Sequence, residues 1–310
     1  MEEKPIISVT IATYNRAHLL PRAVNSVLNQ TFQDFELIII DDCSTDNTKE
    51  IVKSFNDKRI IYHRHEKNKG YLAARNTGWD LARGKYNCHL GDDDELLPNA
   101  LETVVNKFNE LSTQGVKFLW FDIINAETGT PGGTGLKKEG YITYEYLLPA
   151  QPIGDYWVAF DMELLGAYRY DKEWYRAPVG DGILWLKLHR RSRAYYVPEV
   201  LYKAYREHGS ARLSNLSWIY HFTEIYLYEK TFLEENGEEL KGLCSRKYGQ
   251  KLNQFGSYQI LSGEISNGRK TLISSFKFNF SFKYFILFVV SFILNGNQIK
   301  KFYIRFFNIK

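Results

Sequence analysis

With 310 residues, 44% of them hydrophobic and 25% charged, and a net charge of +4, the chain is long enough for one large α/β domain with a smaller appendage, or for two domains. Its first residues are acidic and lead into a strand-like run without the features of a secretory signal, so we expect a cytoplasmic protein. Odd in number and widely spaced, the cysteines argue against a disulfide framework, and we expect small buried side chains at Cys43, Cys88 and Cys244.

Strand-like and helix-like segments alternate through the first 124 residues. Apolar and β-branched runs predict strands at 6–13, 36–40, 59–63, 85–90 and 116–124, and helical spacing or N-cap residues predict helices at 17–29, 44–55, 71–82 and 98–111. Four successive strand-helix units favour a doubly wound, mostly parallel sheet flanked by helices. Ligands of such sheets bind outside the carboxyl ends of the strands.

Polar side chains follow three of these strands. Residues 13–16 end the first strand, Asp41 and Asp42 end the second, and residues 92–94 end the fourth, so we expect the three clusters to meet at one edge of the sheet. No glycine-rich dinucleotide motif and no P-loop follows the first strand, so those two kinds of nucleotide site lose support.

The acidic triplet Asp92, Asp93 and Asp94 is the most informative of these clusters. Adjacent carboxylates repel one another, and either raised pKa values or a hard divalent metal bound through oxygen relieves the repulsion. The alternative is a solvated acidic turn at the start of the next helix, where the helix dipole favours carboxylates.

Four further motifs occur with the triplet, in the order 9–16 (VTIATYNR), 27–32 (VLNQTF), 38–46 (IIIDDCSTD) and 74–78 (ARNTG). Together they resemble the inverting family 2 glycosyltransferases of GT-A fold, over roughly residues 5–215. The resemblance implies a GT-A catalytic domain at 1–215, with a nucleotide-sugar-binding half at 1–124 and an acceptor-binding half at 125–215. A helical, aromatic-rich extension at 216–310 would follow.

The resemblance also assigns a donor site. It implies that the base of a nucleoside-diphosphate sugar, with a UDP-sugar as first choice, stacks on Tyr14 and hydrogen-bonds to Asp42, and that Arg75 reaches the nucleotide or the diphosphate. An aromatic face and a carboxylate acceptor suit a base physically. The alternatives are a core-edge tyrosine at Tyr14, a structural or N-capping acid at Asp41 and a surface arginine at Arg75.

The family's metal motif, usually Asp-x-Asp-Asp, implies a Mn²⁺ or Mg²⁺ site. Gly91 stands where its first acid often lies, which leaves the register open. We expect Asp93 to bind the metal directly, Asp92 to contact the ribose or the metal, and Asp94 to be a further candidate ligand. His208 matches a family histidine that approaches the metal or the phosphates. A site with few protein oxygens, whose remaining ligands come from the diphosphate and water, suits either ion.

Asp181 is the catalytic base that the resemblance implies, because it precedes an apolar helix as the family's base does; its alternative is an N-cap. The chain would then transfer a sugar, with inversion, to a hydroxyl of a glycan or lipid-linked acceptor. Tyr and Trp side chains in residues 125–176 would form an acceptor wall or simply an aromatic core. We assign His63 and His65 to surface or strand-end roles.

Two other functions are weighed against the enzyme. A catalytically silent GT-A protein would bind nucleotide-sugar or recruit partners, and it is distinguished by whether Asp93 and Asp181 face one cleft. A soluble nucleotidyltransferase would need a glycine-rich loop after the first strand, which residues 13–16 do not supply.

The end of the chain has a composition of its own. Residues 269–310 hold eight of the 40 Lys and Arg and none of the 36 Asp and Glu, together with twelve Phe and Tyr. Their longest apolar run, 284–294, is about half of the ~20 residues that span a bilayer. This pattern favours peripheral binding to the anionic inner face of the cytoplasmic membrane, and the alternative is a helical hairpin packed on the catalytic domain. We expect no nucleic-acid partner, because the first 268 residues are slightly acidic.

Overall fold

The computed structural model of the chain describes residues 4–150, 154–175, 182–206 and 221–306. The chain divides into two compact units. The first, here the sheet unit, takes in Met1–Tyr170 and Leu184–Gly209, and the second, here the helical unit, takes in Asp171–Ile183 and Ser210–Lys310. The expected domain bounds at 124 and 215 stay predictions.

One mixed sheet contains all nine strands of the described residues, in the order β3-β2-β1-β4-β8-β6-β9-β5, with β7 also paired to β9. The strands are β1 (Ile7–Thr13), β2 (Phe35–Asp41), β3 (Ile60–Arg64), β4 (Tyr86–His89), β5 (Glu95–Leu96), β6 (Val116–Asn125), β7 (Gly140–Ile142), β8 (Tyr156–Asp161) and β9 (Arg193–Ala204).

Parallel pairing joins the first four strands. β1 pairs in parallel with β2 and β4, and β2 pairs in parallel with β3, so the carboxyl ends of all four meet at one edge. β8 then enters antiparallel between β4 and β6, and β9 runs parallel to β6. The predicted α/β fold with a parallel sheet and a helical C-terminal extension is confirmed.

Helices cover both faces of the parallel strands. Those of the sheet unit are α1 (Leu20–Leu28), α2 (Thr48–Ser54), α3 (Tyr71–Leu81), α4 (Ala100–Glu110), α5 (Tyr144–Ala150) and α6 (Met162–Leu165), and α7 (Gly182–Arg191) continues from one unit into the other. All seven residues of β2 are buried, as expected for a strand covered on both faces. Ile39 packs in the cluster with Val24 of α1, and Ile38 packs with Ala74 of α3.

The described part of the helical unit consists mainly of five helices. They are α8 (Phe222–Leu243), α9 (Ser245–Ser262), α10 (Ile265–Phe276), α11 (Phe282–Val290) and α12 (Gly296–Phe306). Helices α9 and α10 approach closely at two glycines, because a Cβ on Gly268 would lie 2.6 Å from the carbonyl oxygen of Gly256. No described helix has the length and apolar character to cross a membrane.

Residues 269–306 present two different faces. One face is buried in the core of the helical unit, through Leu272, Leu287, Ile299 and Tyr303. The other exposes large apolar side chains, concentrated around α11: Phe280, Phe282, Phe285, Val289, Phe292 and Ile293. The segment therefore packs within its own unit and also exposes apolar surface. Membrane binding and packing on the catalytic domain both stay predictions.

Candidate active site

The loops that follow β1 and β2 are fastened to each other. Asn15 adopts a left-handed backbone conformation with φ of 54°, and its amide N–H donates to Ser44 Oγ at 2.9 Å. Its side-chain oxygen accepts the Thr45 N–H at 2.7 Å, and the Asp46 carboxylate accepts the Ala17 N–H at 3.0 Å. Burial raises the pKa of Asp46, but hydrogen bonds from Thr48 and backbone amides leave it lowered overall. Hydrogen bonds thus join the polar cluster after β1 to the polar cluster after β2.

Arg16 joins the first cluster to the acidic triplet. Its Nη1 donates to Asp92 Oδ1 at 2.6 Å and its Nη2 donates to Asp93 Oδ2 at 2.7 Å. Thr13 Oγ1 donates to the other oxygen of Asp92 at 2.8 Å. The expected meeting of the ends of the first, second and fourth strands is therefore observed, and two carboxylates converge on a single cationic group.

The two carboxylates are almost enclosed by protein. Burial raises the pKa of Asp92 to about 6, against the opposing attraction of Arg16 and the hydrogen bond from Thr13. Burial lowers the pKa of Arg16, but Asp92 and Asp93 raise it by more. The edge of the sheet is therefore a place where negative charge is costly and a cation is stabilising.

Asp94 takes a different direction from its two neighbours. One of its oxygens accepts the Tyr202 hydroxyl at 2.5 Å, and the other accepts the Tyr205 amide N–H at 2.8 Å. Burial and the Asp94 charge raise the pKa of Tyr202 well above its ordinary value, so this phenol stays a donor. Asp94 ties the acidic motif to the end of β9, and its predicted role as a metal ligand would require it to share these bonds.

Asp42 lies in a dense hydrogen-bond network. Its Oδ1 contacts His65 Nδ1 at 2.7 Å and accepts the Lys69 N–H at 2.9 Å, while its Oδ2 accepts the Gly70 N–H at 2.7 Å. A carboxylate has about four acceptor positions, so described residues take three of them. The predicted bond to a nucleobase would use the position that is left.

Asp41 is the buried structural acid that the sequence offered as one alternative. It accepts the Ser44 N–H at 2.7 Å and the Tyr62 hydroxyl at 2.6 Å. Burial and the Asp41 carboxylate together raise the pKa of Tyr62.

His65 is a site residue whose role the sequence reasoning missed. It follows β3 directly, as a strand-end role requires, but it is buried rather than on the surface, and its Nε2 contacts Thr77 Oγ1 at 2.9 Å. A signal was present, because parallel pairing of Asp41 with Arg64 places the next residues, Asp42 and His65, side by side.

Tyr14 and Arg75 have opposite surroundings. Tyr14 is 44% exposed, so its ring is available to a planar ligand, and it is not a core-edge side chain. Arg75 is buried, and its guanidinium carbon lies 5.2–5.7 Å from the ring centroids of four aromatic side chains: Tyr71, Trp79, Tyr170 and Trp185. It is not the surface arginine of the alternative, and its predicted contact with the donor stays a prediction.

One side chain of the aromatic segment after residue 125 contacts the strand that leads into the acidic motif. Trp157 on β8 is buried, and its Nε1 donates at 2.8 Å to the carbonyl oxygen of His89, which precedes the acidic motif. Tyr141 and Tyr146 are exposed. Core packing therefore accounts for Trp157, and the exposed tyrosines stay candidates for an acceptor wall. The predicted base Asp181 and the predicted ligand His208 lie outside the described residues.

The carboxylates at this edge of the sheet are the candidate metal ligands among the described residues. Among the residues that the structure describes, no group of three or more His, Cys, Asp or Glu could hold a metal ion by itself. Asp92 Oδ1 and Asp93 Oδ2 nevertheless converge on one cation, the Arg16 guanidinium. Mg²⁺ and similar ions commonly bind one or two carboxylates and complete their shell with substrate phosphates and water. The two carboxylates fit an ion that arrives with a diphosphate.

Comparison with protein families and curated proteins gives consistent results. Residues 8–161 match the model of glycosyl transferase family 2. A GalNAc(5)-diNAcBac-PP-undecaprenol beta-1,3-glucosyltransferase of Campylobacter jejuni is 28% identical over 310 aligned positions, which cover 96% of each chain. The Escherichia coli glucosyltransferase WfgD, named for UDP-Glc and alpha-D-GlcNAc-diphosphoundecaprenol, is 32% identical over 53% of this chain and 64% of its own.

A solved structure gives the same result for the fold. TarS of S. aureus, residues 1–349 in complex with UDP-GlcNAc, has a TM-score of 0.64 at 18% identity, over 97% of this chain and 90% of that chain. At this identity the similarity shows the fold alone.

Proposed function

Because the chain belongs to the family 2 glycosyltransferases and has their GT-A fold, we propose that it transfers a sugar from a UDP-sugar to a hydroxyl of a lipid-linked glycan, with inversion at the anomeric carbon. The observation that carries the proposal is the convergence of Asp92 and Asp93 on one cationic group, beside the fastened loops after β1 and β2. A diphosphate leaving group needs a cation beside it, and two converging carboxylates can hold one.

Tyr14 and Asp42 would bind the base of the donor. The exposed ring of Tyr14 offers a stacking face, and the remaining acceptor position of Asp42 suits the imide N–H of uracil. His65 and the amides of Lys69 and Gly70 hold the Asp42 carboxylate in place, so this carboxylate is oriented for the base before the nucleotide-sugar binds. Arg75 would contribute positive charge to the nucleotide side of the site.

Asp92 and Asp93 would hold a divalent ion, Mn²⁺ or Mg²⁺, with Asp94 and His208 as further candidate ligands. When bound, such an ion neutralises charge on the departing nucleoside diphosphate. Enclosure of Asp92 and Asp93 by protein excludes water around them and strengthens their attraction for a cation.

Asp181 would remove the proton from the acceptor hydroxyl. Inversion by a single displacement requires one carboxylate on the acceptor side and stabilisation of the leaving group on the other. The names of the two relatives support an acceptor built on an undecaprenyl diphosphate and make UDP-glucose the first donor to test.

The helical unit would place the enzyme on the membrane that holds such an acceptor. Six large apolar side chains are exposed within residues 280–293, a density that in soluble monomers marks an interaction surface. The basic residues of 269–310 add charge attraction to anionic lipids. We infer peripheral binding to the cytoplasmic face.

Calorimetry with UDP tests the donor site. Binding should require Mn²⁺ or Mg²⁺, and Asp93→Ala should abolish it, because the remaining carboxylates no longer hold the ion that offsets the diphosphate charge. Asp34→Ala is the matched control, since Asp34 is exposed and precedes β2 at the opposite edge of the sheet. Undiminished UDP binding in excess chelator would contradict the proposed metal role.

A further inference from the structure

Arg16 occupies the position between Asp92 and Asp93 that a bound cation would need. Its two terminal nitrogens lie 2.6 Å and 2.7 Å from the nearer oxygens of these carboxylates, and all three side chains are largely shielded from water. Paired carboxylates enclosed in this way are destabilising without a counter-charge. Arg16 supplies that counter-charge in the protein alone.

A divalent ion at the same oxygens would lie beside the guanidinium. Two carboxylates carry two negative charges, so one guanidinium and one divalent ion together exceed them. Like charges only a few ångströms apart repel strongly where solvent screening is weak. The ion and the Arg16 side chain are therefore expected to compete for Asp92 and Asp93.

The local structure lets the side chain leave without disturbing the backbone. The Arg16 carbonyl accepts the N–H groups of Leu19 and Leu20 at 2.9 Å and 3.2 Å, which fixes the backbone at the start of α1. Among the described residues, the Arg16 side chain donates to Asp92 and Asp93, and its Nε has no hydrogen-bond partner. A guanidinium that leaves carboxylates finds an equivalent bidentate partner in a phosphate group.

We propose that Arg16 is an exchangeable counter-charge that couples metal binding to donor binding. Without ligands, Arg16 neutralises Asp92 and Asp93. When a nucleoside diphosphate binds, the Arg16 guanidinium moves from the two carboxylates to the phosphates, and the carboxylates can then bind the ion. Arg16 is a positioning residue in this scheme. The inference rests on the proposed metal role of Asp92 and Asp93.

Titration of Mn²⁺ at pH 8, with and without UDP, tests the coupling by calorimetry or by the paramagnetic resonance of the free ion. The wild-type protein should bind Mn²⁺ at least about tenfold more tightly with UDP than without it, within the usual range of coupling between sites. Arg16→Gln should bind Mn²⁺ alone about tenfold more tightly than wild type, and UDP should then improve that affinity much less.

Two further variants complete the design. Arg16→Lys keeps the charge but cannot bridge both carboxylates as a fork does, so its affinity for Mn²⁺ alone should lie between the other two. Arg59→Gln is the matched control, because Arg59 also pairs with an aspartate, Asp57 at 2.7 Å, but at the opposite edge of the sheet. It should behave as wild type.

The outcomes separate this inference from the proposed function. If wild-type protein binds no Mn²⁺ even with UDP, the metal role itself is wrong. If wild type binds Mn²⁺ with UDP, but Arg16→Gln binds Mn²⁺ alone no more tightly than wild type, only the counter-charge role of Arg16 is overturned.

Discussion

The sheet unit and the helical unit expose very different side chains. In the described part of the sheet unit, the exposed large hydrophobic residues are three tyrosines, Tyr14, Tyr141 and Tyr146. Among the described residues of the helical unit they are nine side chains without a polar atom: Leu243, Ile273, Phe280, Phe282, Phe285, Val289, Phe292, Ile293 and Phe306. Both units have a buried apolar core, so the difference lies in the surface.

This contrast suggests a division of tasks. The sheet unit buries apolar groups and gathers carboxylates at the ends of its strands, where a polar ligand can be bound and turned over. The helical unit leaves apolar area exposed, which is unfavourable in water and becomes favourable against a lipid surface. Donor binding is thus proposed for the sheet unit and membrane contact for the exposed residues within 280–293 of the helical unit, and each proposal can be tested separately.

The largest effect is expected at Asp181. Asp181→Asn keeps the size of the side chain but cannot accept a proton, so transfer should fall by roughly 10²–10⁴-fold while UDP-sugar affinity persists. Radiolabelled transfer to a lipid-linked acceptor and calorimetry with the donor measure the two quantities. Near wild-type transfer would make Asp181 structural and direct the search for the base to Asp155, Asp161 and Asp171.

Membrane binding should change next most strongly. Serine at Phe280, Phe282, Phe292 and Ile293 together should lower partitioning to phosphatidylglycerol vesicles at least tenfold, since each lost apolar contact is worth on the order of 1 kcal/mol. These side chains are exposed, so the fold should tolerate the change, whereas deleting 269–310 would remove buried Leu272 and Leu287.

Vesicle flotation with a matched control sharpens this comparison between the units. Tyr141→Ser with Tyr146→Ser removes exposed aromatic rings from the sheet unit and should leave partitioning unchanged. Salt should weaken binding of the wild type, because the basic residues contribute roughly 1 kcal/mol each near an anionic surface. Equal partitioning to neutral and anionic vesicles would count against the charge contribution, and no partitioning would count against the surface itself.

The smallest effect concerns pH and the core of the sheet unit. His189 is packed among Phe118 and Trp120, and burial lowers its pKa to about 4. Because the folded state favours the neutral ring, the stability it contributes is complete above pH 6.5 and is lost as the pH falls from 6.5 towards 4. The expected loss between pH 7 and pH 5 is about 1–2 kcal/mol.

Denaturant unfolding of His189→Gln measures this contribution, since the amide does not titrate. The variant should show a shallower loss of unfolding free energy between pH 7 and pH 5 than wild type. Glutamine at His18, an exposed position in the same unit, should keep the wild-type slope. Equal slopes for wild type and His189→Gln would show that His189 does not contribute to the pH dependence of the unfolding free energy.

Local patterns were sufficient to predict the parallel half of the sheet. Apolar runs mark β1, β2 and β3, and helical spacing or N-cap residues mark the helices between the strands, so the alternation can be read within windows of a few residues. The edge where Thr13 meets Asp92 followed from parallel pairing alone. The antiparallel insertion of β8 between β4 and β6 has no comparable local pattern.

The side-chain contacts of the site that could not be predicted from sequence join residues far apart in the chain. The sequence made Asp94 a further candidate metal ligand, and only the structure shows that its carboxylate accepts a hydrogen bond from Tyr202 of β9, more than a hundred positions later. The bridge from Arg16 to two carboxylates likewise depends on side-chain directions at the end of two strands. Sequence patterns identify which residues carry charge, and the tertiary structure decides which charges meet.

The bond between Asp94 and β9 also bears on how the protein is made. A nascent chain folds from its amino end, so β1 to β4 and the acidic motif leave the ribosome well before β9. Tyr202 and Tyr205, which hold the Asp94 carboxylate, follow it by 108 and 111 residues. A chain that terminates prematurely before Tyr205 would carry the strand ends and acids that mark the family, yet it would lack the last contacts that set the motif's geometry.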